Sequence, residues 1–499
     1  MANPIKQLAG QTAIYGLSSI IGRLLNYLLV PLYTRIFIPE IYGVVTELYA
    51  YATFLLILLT YGTETGFFRY AQDKSKFNTV FSSLQTSLTI TSLLFFGLVT
   101  LFVSPITNAL KYTANPEYII YLAGIVALDA LISIPFARLR FENKSLRFAI
   151  YRLLNIGINI GLNLFFLILC PKIATNNPDS IILNIWSPNI GVGYVFISNL
   201  VANIFTFLMF IPYIINVKYR FDLNILKQIL WYSAPLLIGG FAGMINETID
   251  RILLKFLLPE SVNAMEQIGI YGANYKLAIL MTLFIQMFRY AADPFFFAQK
   301  EKRDAPETYA KVMQWFVIFG LTIFLGVMFY IDIVKFFIDS SYHSGLRVVP
   351  ILLLANLFMG MYYNLSIWYK LNDKTKFGAY LALFGAGVTI ILNIILIPII
   401  GYMGSAWATF ACYFIMMLSS YTIGKKHYKI PYNIKKILKY FALALILYAI
   451  SYIYADFVIW LRLILNSILM FVYLSVVAIS EKIIPSKKLK LNKNESKNS

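Results

Sequence analysis

Residues 38–71 read IPEIYGVVTELYAYATFLLILLTYGTETGFFRYA. The apolar run at about 42–63 is long enough to cross a bilayer, for which roughly 20 residues suffice, and the basic residues Arg69, Lys74 and Lys76 follow it. Both ends of the stretch return 220 residues later. Ile38-Pro39-Glu40 recurs as Leu258-Pro259-Glu260, and Phe68-Arg69-Tyr70-Ala71 as Phe288-Arg289-Tyr290-Ala291, with Asp73 and Asp293 keeping the offset. Tyr42-Gly43 matches Tyr271-Gly272 if a gap of nine is allowed, and Gly191-Val192-Gly193 corresponds more loosely to Gly401-Tyr402-Met403-Gly404. Chance supplies one such tetrapeptide easily, three matches at one spacing far less so. The chain reads as a duplication.

Working outward, fourteen apolar segments follow one another at about 12–34, 42–63, 79–104, 117–137, 148–170, 190–215, 229–257, 267–290, 312–331, 348–369, 377–400, 403–423, 440–455 and 457–480. Hydrophobic residues make up 59% of the 499 and charged residues only 13%, about half the charged share of a soluble domain. Mean hydropathy is +0.71, and no connection is long enough to fold as a soluble domain. Of the 42 Lys and Arg, 30 fall in alternate connections and the ends of the chain, against seven counted at or near the other connections, Lys255 among them. Cytoplasmic loops keep the excess of Lys and Arg, so both termini are expected to be cytoplasmic.

The expected fold is therefore all-α and membrane-embedded, with about fourteen spans. Two pseudo-symmetric six-helix lobes, 1–220 and 221–425, are followed by two additional helices in 426–482 and a basic tail in 483–499. A repeat with an even number of spans keeps its orientation, and transporters built so hold substrate between the lobes. A duplication kept for folding alone is the plainer alternative. The net charge of +19 is then a topology signal, with the tail meeting anionic headgroups; no nucleic acid partner is expected. The first segment is too long for a signal-peptide core, so no cleavage is expected.

Eight ionisable residues lie well inside segments: Arg23, Glu47, Asp129, Arg152, Glu247, Asp250, Arg251 and Lys276. A charge at mid-membrane costs about 2.5–3.5 kcal/mol on the translocon scale, so it faces a cavity or a partner. Six of the eight fall in the first two helices of each lobe, where a two-lobe carrier meets its substrate. Arg23, Asn26, Arg152, Arg251 and Lys276 are the candidate substrate-binding residues, and Glu47, Glu247 and Asp250 the candidate ion-coupling acids. Asp250 and Lys276 lie at matching depths, roughly 12–15 Å from the loop between their helices, close enough to pair. Arg152, Asn155, Asn159 and Asn163 share one face, turned to the cavity or to another helix. Arg152 also lies near enough to the inner end to snorkel, Asp129 could serve only to bond helices, and Arg69 and Arg289 fit topology anchors or interlobe pairs. Pro235 with Gly239, Gly240 and Gly243 makes the seventh helix the best moving element.

Catalytic chemistry is missing. There is no phosphate-binding Gly-x-x-x-x-Gly-Lys-Ser/Thr loop, no His-Glu-x-x-His and no Gly-x-Ser-x-Gly. Cys170, Cys412, His343 and His427 assemble no zinc set. No catalytic residue, metal or cofactor is expected. The energy source is an ion gradient (proton or sodium), the membrane potential or the substrate's own gradient.

The chain resembles the Wzx-type polysaccharide flippases of the multidrug/oligosaccharidyl-lipid/polysaccharide exporter superfamily, to which the multidrug and toxin extruders also belong. The resemblance rests on Gly22-Arg23-Leu24-Leu25-Asn26 through Pro31-Leu32-Tyr33-Thr34-Arg35 to Pro39-Glu40-Ile41-Tyr42-Gly43. It rests too on Leu392-Asn393-Ile394 through Pro398 and Gly401 to Gly404-Ser405-Ala406, and covers about 1–425. It implies alternating-access translocation of an undecaprenyl-diphosphate-linked oligosaccharide across a bacterial inner membrane, for capsule or O-antigen synthesis, in a cationic chamber containing Arg23 and the charges of helices 7 and 8. Membrane lipids and polysaccharide polymerase machinery are the implied partners. Fourteen helices are usual in peptidoglycan lipid II flippases, so lipid II flipping stays open as an alternative, as does multidrug export. A membrane glycosyl-polymerase would want acids or His on a large outer loop, and only Asp332, Asp339 and His343 are available.

Overall fold

The computed structural model describes residues 20–372 and 374–482, and no β-strand occurs among them. Helical residues 20–27 lead into α1 (Leu29–Ile36), then α2 (Pro39–Thr60), α3 (Thr63–Tyr70), α4 (Phe77–Leu101), α5 (Glu117–Phe141), α6 (Ser145–Leu164) and α7 (Gly193–Ile215). There follow α8 (Leu223–Leu257), α9 (Ala264–Leu277), α10 (Ile279–Gln299), α11 (Ala305–Phe329), α12 (Val348–Leu365), α13 (Lys376–Ile400), α14 (Tyr402–His427), α15 (Ile434–Ser451) and α16 (Ile459–Ser480). Among the described residues eleven helices are long and apolar enough to cross a membrane, or twelve if α9 and α10, bent by 52°, form one span. The expected count was fourteen. The expected segment 12–34 lies partly outside the described residues, and α15 carries Lys435, Lys436 and Lys439 in its first turns, which takes it out of the apolar set.

The surface of these helices is apolar, with Leu93, Leu101, Ile399 and Phe471 all exposed. Polar side chains such as Ser198, Asn203, Asn246, Thr389 and Asn393 are buried instead. That inversion is what hydrocarbon selects, since apolar side chains lose nothing by facing lipid while polar ones need partners. The protein is a multi-pass membrane protein.

Contacts divide the chain into two compact units. One runs to Phe297 and resumes over Lys335–His427; the other comprises Ala298–Val334 and the chain from Tyr428. In the second unit α11 packs on α15 and α16, so the ninth apolar segment of the sequence sits with the thirteenth and fourteenth. In the first, α5 packs against α2, α4 and α7, and α6 against α7, while α8, α12, α13 and α14 form a second bundle. The two bundles touch where α2 meets α8 and α9 and where α3 meets α8.

Local sequence explains those meetings. Pro39 occupies the first turn of α2, where its missing N–H costs nothing. Tyr61 and Gly62 both adopt left-handed backbone, φ 51° and 63°, which breaks α2 from α3. A Cβ on Gly62 would stand 3.4 Å from the Leu237 backbone nitrogen of α8. Asp222 caps α8, accepting from the backbone N–H of Asn224 and Ile225 at 2.8 and 3.2 Å. The 35 residues of α8 extend roughly 50 Å, well beyond the hydrocarbon core. Its end comes before Leu258-Pro259, where the ring of proline disfavours helical backbone in the preceding residue.

Candidate functional site

Helix α8 is held from behind by Asn246. Its side chain accepts from the Thr389 hydroxyl at 3.1 Å and donates to the Ala382 carbonyl at 3.2 Å, and Tyr413 donates to its backbone carbonyl at 3.2 Å. These bonds to α13 and α14 fix the rotation of α8. The next residue, Glu247, is exposed, Asp250 is buried, and Arg251 is partly buried.

Asp250 makes a full set of bonds. The Tyr271 hydroxyl on α9 donates to its Oδ2 at 2.6 Å, while the Arg251 backbone N–H and guanidinium donate to Oδ1 at 2.9 and 3.2 Å. Arg251 also donates to the Glu247 carbonyl at 2.6 Å and lies 4.5 Å over the Tyr275 ring. The Asp250–Lys276 pair that their depths permit does not form, because Asp250 has nearer donors in the adjacent residue and in Tyr271. Lys276 is exposed on α9, with no ion pair among the described residues, in the field of Arg251 and Glu247. The structure thus brings Glu247, Asp250, Arg251 and Lys276 into one cluster.

A second cluster lies between α5, α6 and α7. Asp129 accepts from Asn203 at 3.0 Å; Asn155 donates to Asn203 and Thr206 at 3.0 and 2.9 Å. Asn163 accepts from the Tyr33 hydroxyl at 2.9 Å and donates to the Asn159 side chain at 3.1 Å. The asparagine stripe therefore bonds helix to helix. Arg152 shares its face but is exposed, 5.5 Å over the Phe136 ring, within charge range of Asp129 and Arg23. Arg23 and Asn26 are exposed on the helical turns ahead of α1. Arg69 and Arg289, equivalent in the repeat, each stack on a tyrosine: Tyr232 of α8 at 4.3 Å and Tyr363 of α12 at 4.0 Å.

Glu47 belongs to neither cluster. Its side chain on α2 is fully buried, with Lys255 Nζ 2.9 Å from Oε2 and itself only 5% exposed. The Tyr112 hydroxyl donates to the same oxygen at 2.6 Å, and the Lys255 ammonium sits 3.8 Å over the Tyr112 ring. Glu47 Oε1 and the Tyr51 hydroxyl are buried without a hydrogen-bond partner among the described residues. Sequence reasoning counted Lys255 among the loop charges and passed over Tyr112. The missed signal was spacing: Lys255 follows Arg251 by four residues, so it continues the same face of α8. Nothing comparable marks Tyr112 or Asn246.

Arrangements of this kind bind, hold and move charge, and among the described residues no group of three or more His, Cys, Asp or Glu could hold a metal ion. The sequence matches the family described as "Polysaccharide biosynthesis protein" over residues 8–300. An uncharacterized membrane protein of Methanocaldococcus jannaschii is 26% identical over 212 residues, 42% of this chain and 46% of that protein. The match thus spans less than half the length of that relative. Among solved structures, the lipid II flippase MurJ in an inward closed conformation gives a TM-score of 0.70 at 17% identity, covering 94% of this chain and 99% of MurJ. An inward-facing multidrug resistance MATE family transporter of the MOP superfamily gives 0.63 at 13% identity, covering 83% and 94%. At such identities the likeness is one of fold.

Proposed function

From the premise that the chain belongs to the polysaccharide biosynthesis protein family, having matched it over more than half its length, we propose that it flips a lipid-linked oligosaccharide across the bacterial inner membrane. The substrate is an undecaprenyl-diphosphate-linked glycan destined for surface polysaccharide, moved by alternating access between the lobes 1–220 and 221–425, with both termini in the cytoplasm. The observation that carries this reading is the exposure of Arg23, Arg152, Glu247 and Lys276 well inside the apolar segments of the chain. Against acyl chains each would cost about 2.5–3.5 kcal/mol, so the space they face is hydrated. A diphosphate entering that space meets Lys276, whose ammonium is in no ion pair among the described residues, with Arg251 beside it. Arg23, Asn26 and Arg152 supply the facing donors, while the polyprenyl tail stays in lipid.

An ion gradient supplies the drive on this reading, with Glu247, Asp250 and Glu47 as the acids available to carry a proton or sodium. Deletion of the gene tests the proposal: lipid-linked glycan should accumulate in the inner leaflet and vanish from the outer one. An unchanged leaflet distribution in the deletion strain overturns it.

A further inference from the structure

We propose that Glu47, Lys255 and Tyr112 form a lock that seals the 111–116 end of the α2–α8–α9 junction and has to part once in every transport cycle, with Lys255 as its positioning residue. The proposal rests on the carrier reading above and adds to it the contact that governs access.

Three separate parts of the chain converge on one carboxylate oxygen there. Glu47 comes from α2, Lys255 from the last turn of α8, and Tyr112 from the connection between α4 and α5. Around them α2 and α9 touch backbone to backbone: a Cβ on Gly43 would overlap the Met265 carbonyl, one on Gly269 the Pro39 carbonyl, and one on Gly272 the Thr46 side chain. No route for a large head group exists through so close a seam.

The chemistry of the contact suits parting rather than permanence. A buried ion pair is a weak source of stability, since apolar side chains of similar volume often do as well or better. Here the bonding is also one-sided, with Lys255 and Tyr112 both on Glu47 Oε2 and, among the described residues, no donor in hydrogen-bond geometry on Oε1, which has the Tyr51 phenol near it. When the seam opens, water reaches the carboxylate, the ammonium and both phenols, and their hydration offsets the contacts given up. An apolar plug would recover nothing, so it would hold one state shut.

A connection from the substrate cluster to the lock is already present along α8. Glu247, Arg251 and Lys255 recur every four residues on one face, and burial rises along them, from exposed to partly buried to buried. Glu247 and Lys255 are about 12 Å apart along the axis, with neither Gly nor Pro between them. A shift of the helix at Arg251 is therefore carried to Lys255.

The test places a reporter cysteine at Thr46, against Gly272 in the seam, and measures its maleimide labelling rate in purified protein in nanodiscs. The buried Cys170 and Cys412 give the background, taken from the parent chain. Lys255→Met and Glu47→Gln should each raise labelling at least fivefold, and the swap E47K/K255E, which restores a pair, should return it to within twofold of the reporter parent. Labelling of Lys255→Met within twofold of the parent overturns the lock. Where a single variant fails to accumulate, the swap decides alone: parental labelling supports the lock, and labelling raised fivefold overturns it. Translocation of lipid-linked glycan is followed in parallel. If labelling responds as expected but the parent moves no glycan, the lock stands and the flippase reading falls.

Discussion

Asp250 gives both carboxylate oxygens to Tyr271 and Arg251, whereas Lys276, at a similar depth, is exposed and unpaired among the described residues. Substitutions at the two sites should therefore fail differently. Lys276→Ala should leave protein level and Tm unchanged and reduce translocation about tenfold, the worth of one charge-assisted hydrogen bond; normal transport by that variant would remove Lys276 from the substrate site. Arg251→Ala should instead lose about 3 kcal/mol of stability, because it strands a buried carboxylate. Its Tm in detergent should recover in the double variant with Asp250→Asn, whereas a Tm that stays low would show that Arg251 acts by packing on Tyr275. Both side chains were legible from the sequence as charges out of place. Which one is bound to a neighbour was not, because that depends on the direction from which Tyr271 arrives.

At the scale of elements, the meeting of α2 with α9 depends on small residues at Gly43, Gly269 and Gly272. In a bilayer, helices gain no hydrophobic drive by associating, so close backbone approach supplies the attraction. Gly269→Ala should push the Pro39 carbonyl away and lower stability by about 1–3 kcal/mol, seen as a lower Tm with faster labelling of a cysteine at Thr46. Gly240→Ala is its control: a Cβ there would meet nothing within 4 Å, so labelling should stay at the parental rate. Equal effects from the two would refute the seam. The repeat exposed half of this arrangement, since Tyr42-Gly43 and Tyr271-Gly272 are matched pairs, but it could not say that the copies touch. The asparagines of α6 carried a comparable ambiguity. One face was evident from their spacing, yet only the positions of Asn203, Thr206 and Tyr33 turn Asn155 and Asn163 into helix-to-helix bonds while Arg152 stays exposed.

Over the whole molecule, the distribution of 42 Lys and Arg sets the expected orientation before any packing is considered. A fluorescent protein fused after residue 499 should fluoresce, and alkaline phosphatase inserted near residue 180 should be active on the non-cytoplasmic face of the membrane; the reverse pattern would invert the expected orientation. Membrane residence and helical class follow from the order of residues alone, because lipid selects long apolar runs one segment at a time. Span count was less secure, since α15 combines an apolar body with three lysines. What packing alone decided is which charges are committed to each other. The Glu47–Lys255 pair joins residues 208 positions apart, and no local pattern encodes such a distance; it exists because glycines let α2 and α9 close together at that end and bring the last turn of α8 against a carboxylate that water no longer reaches.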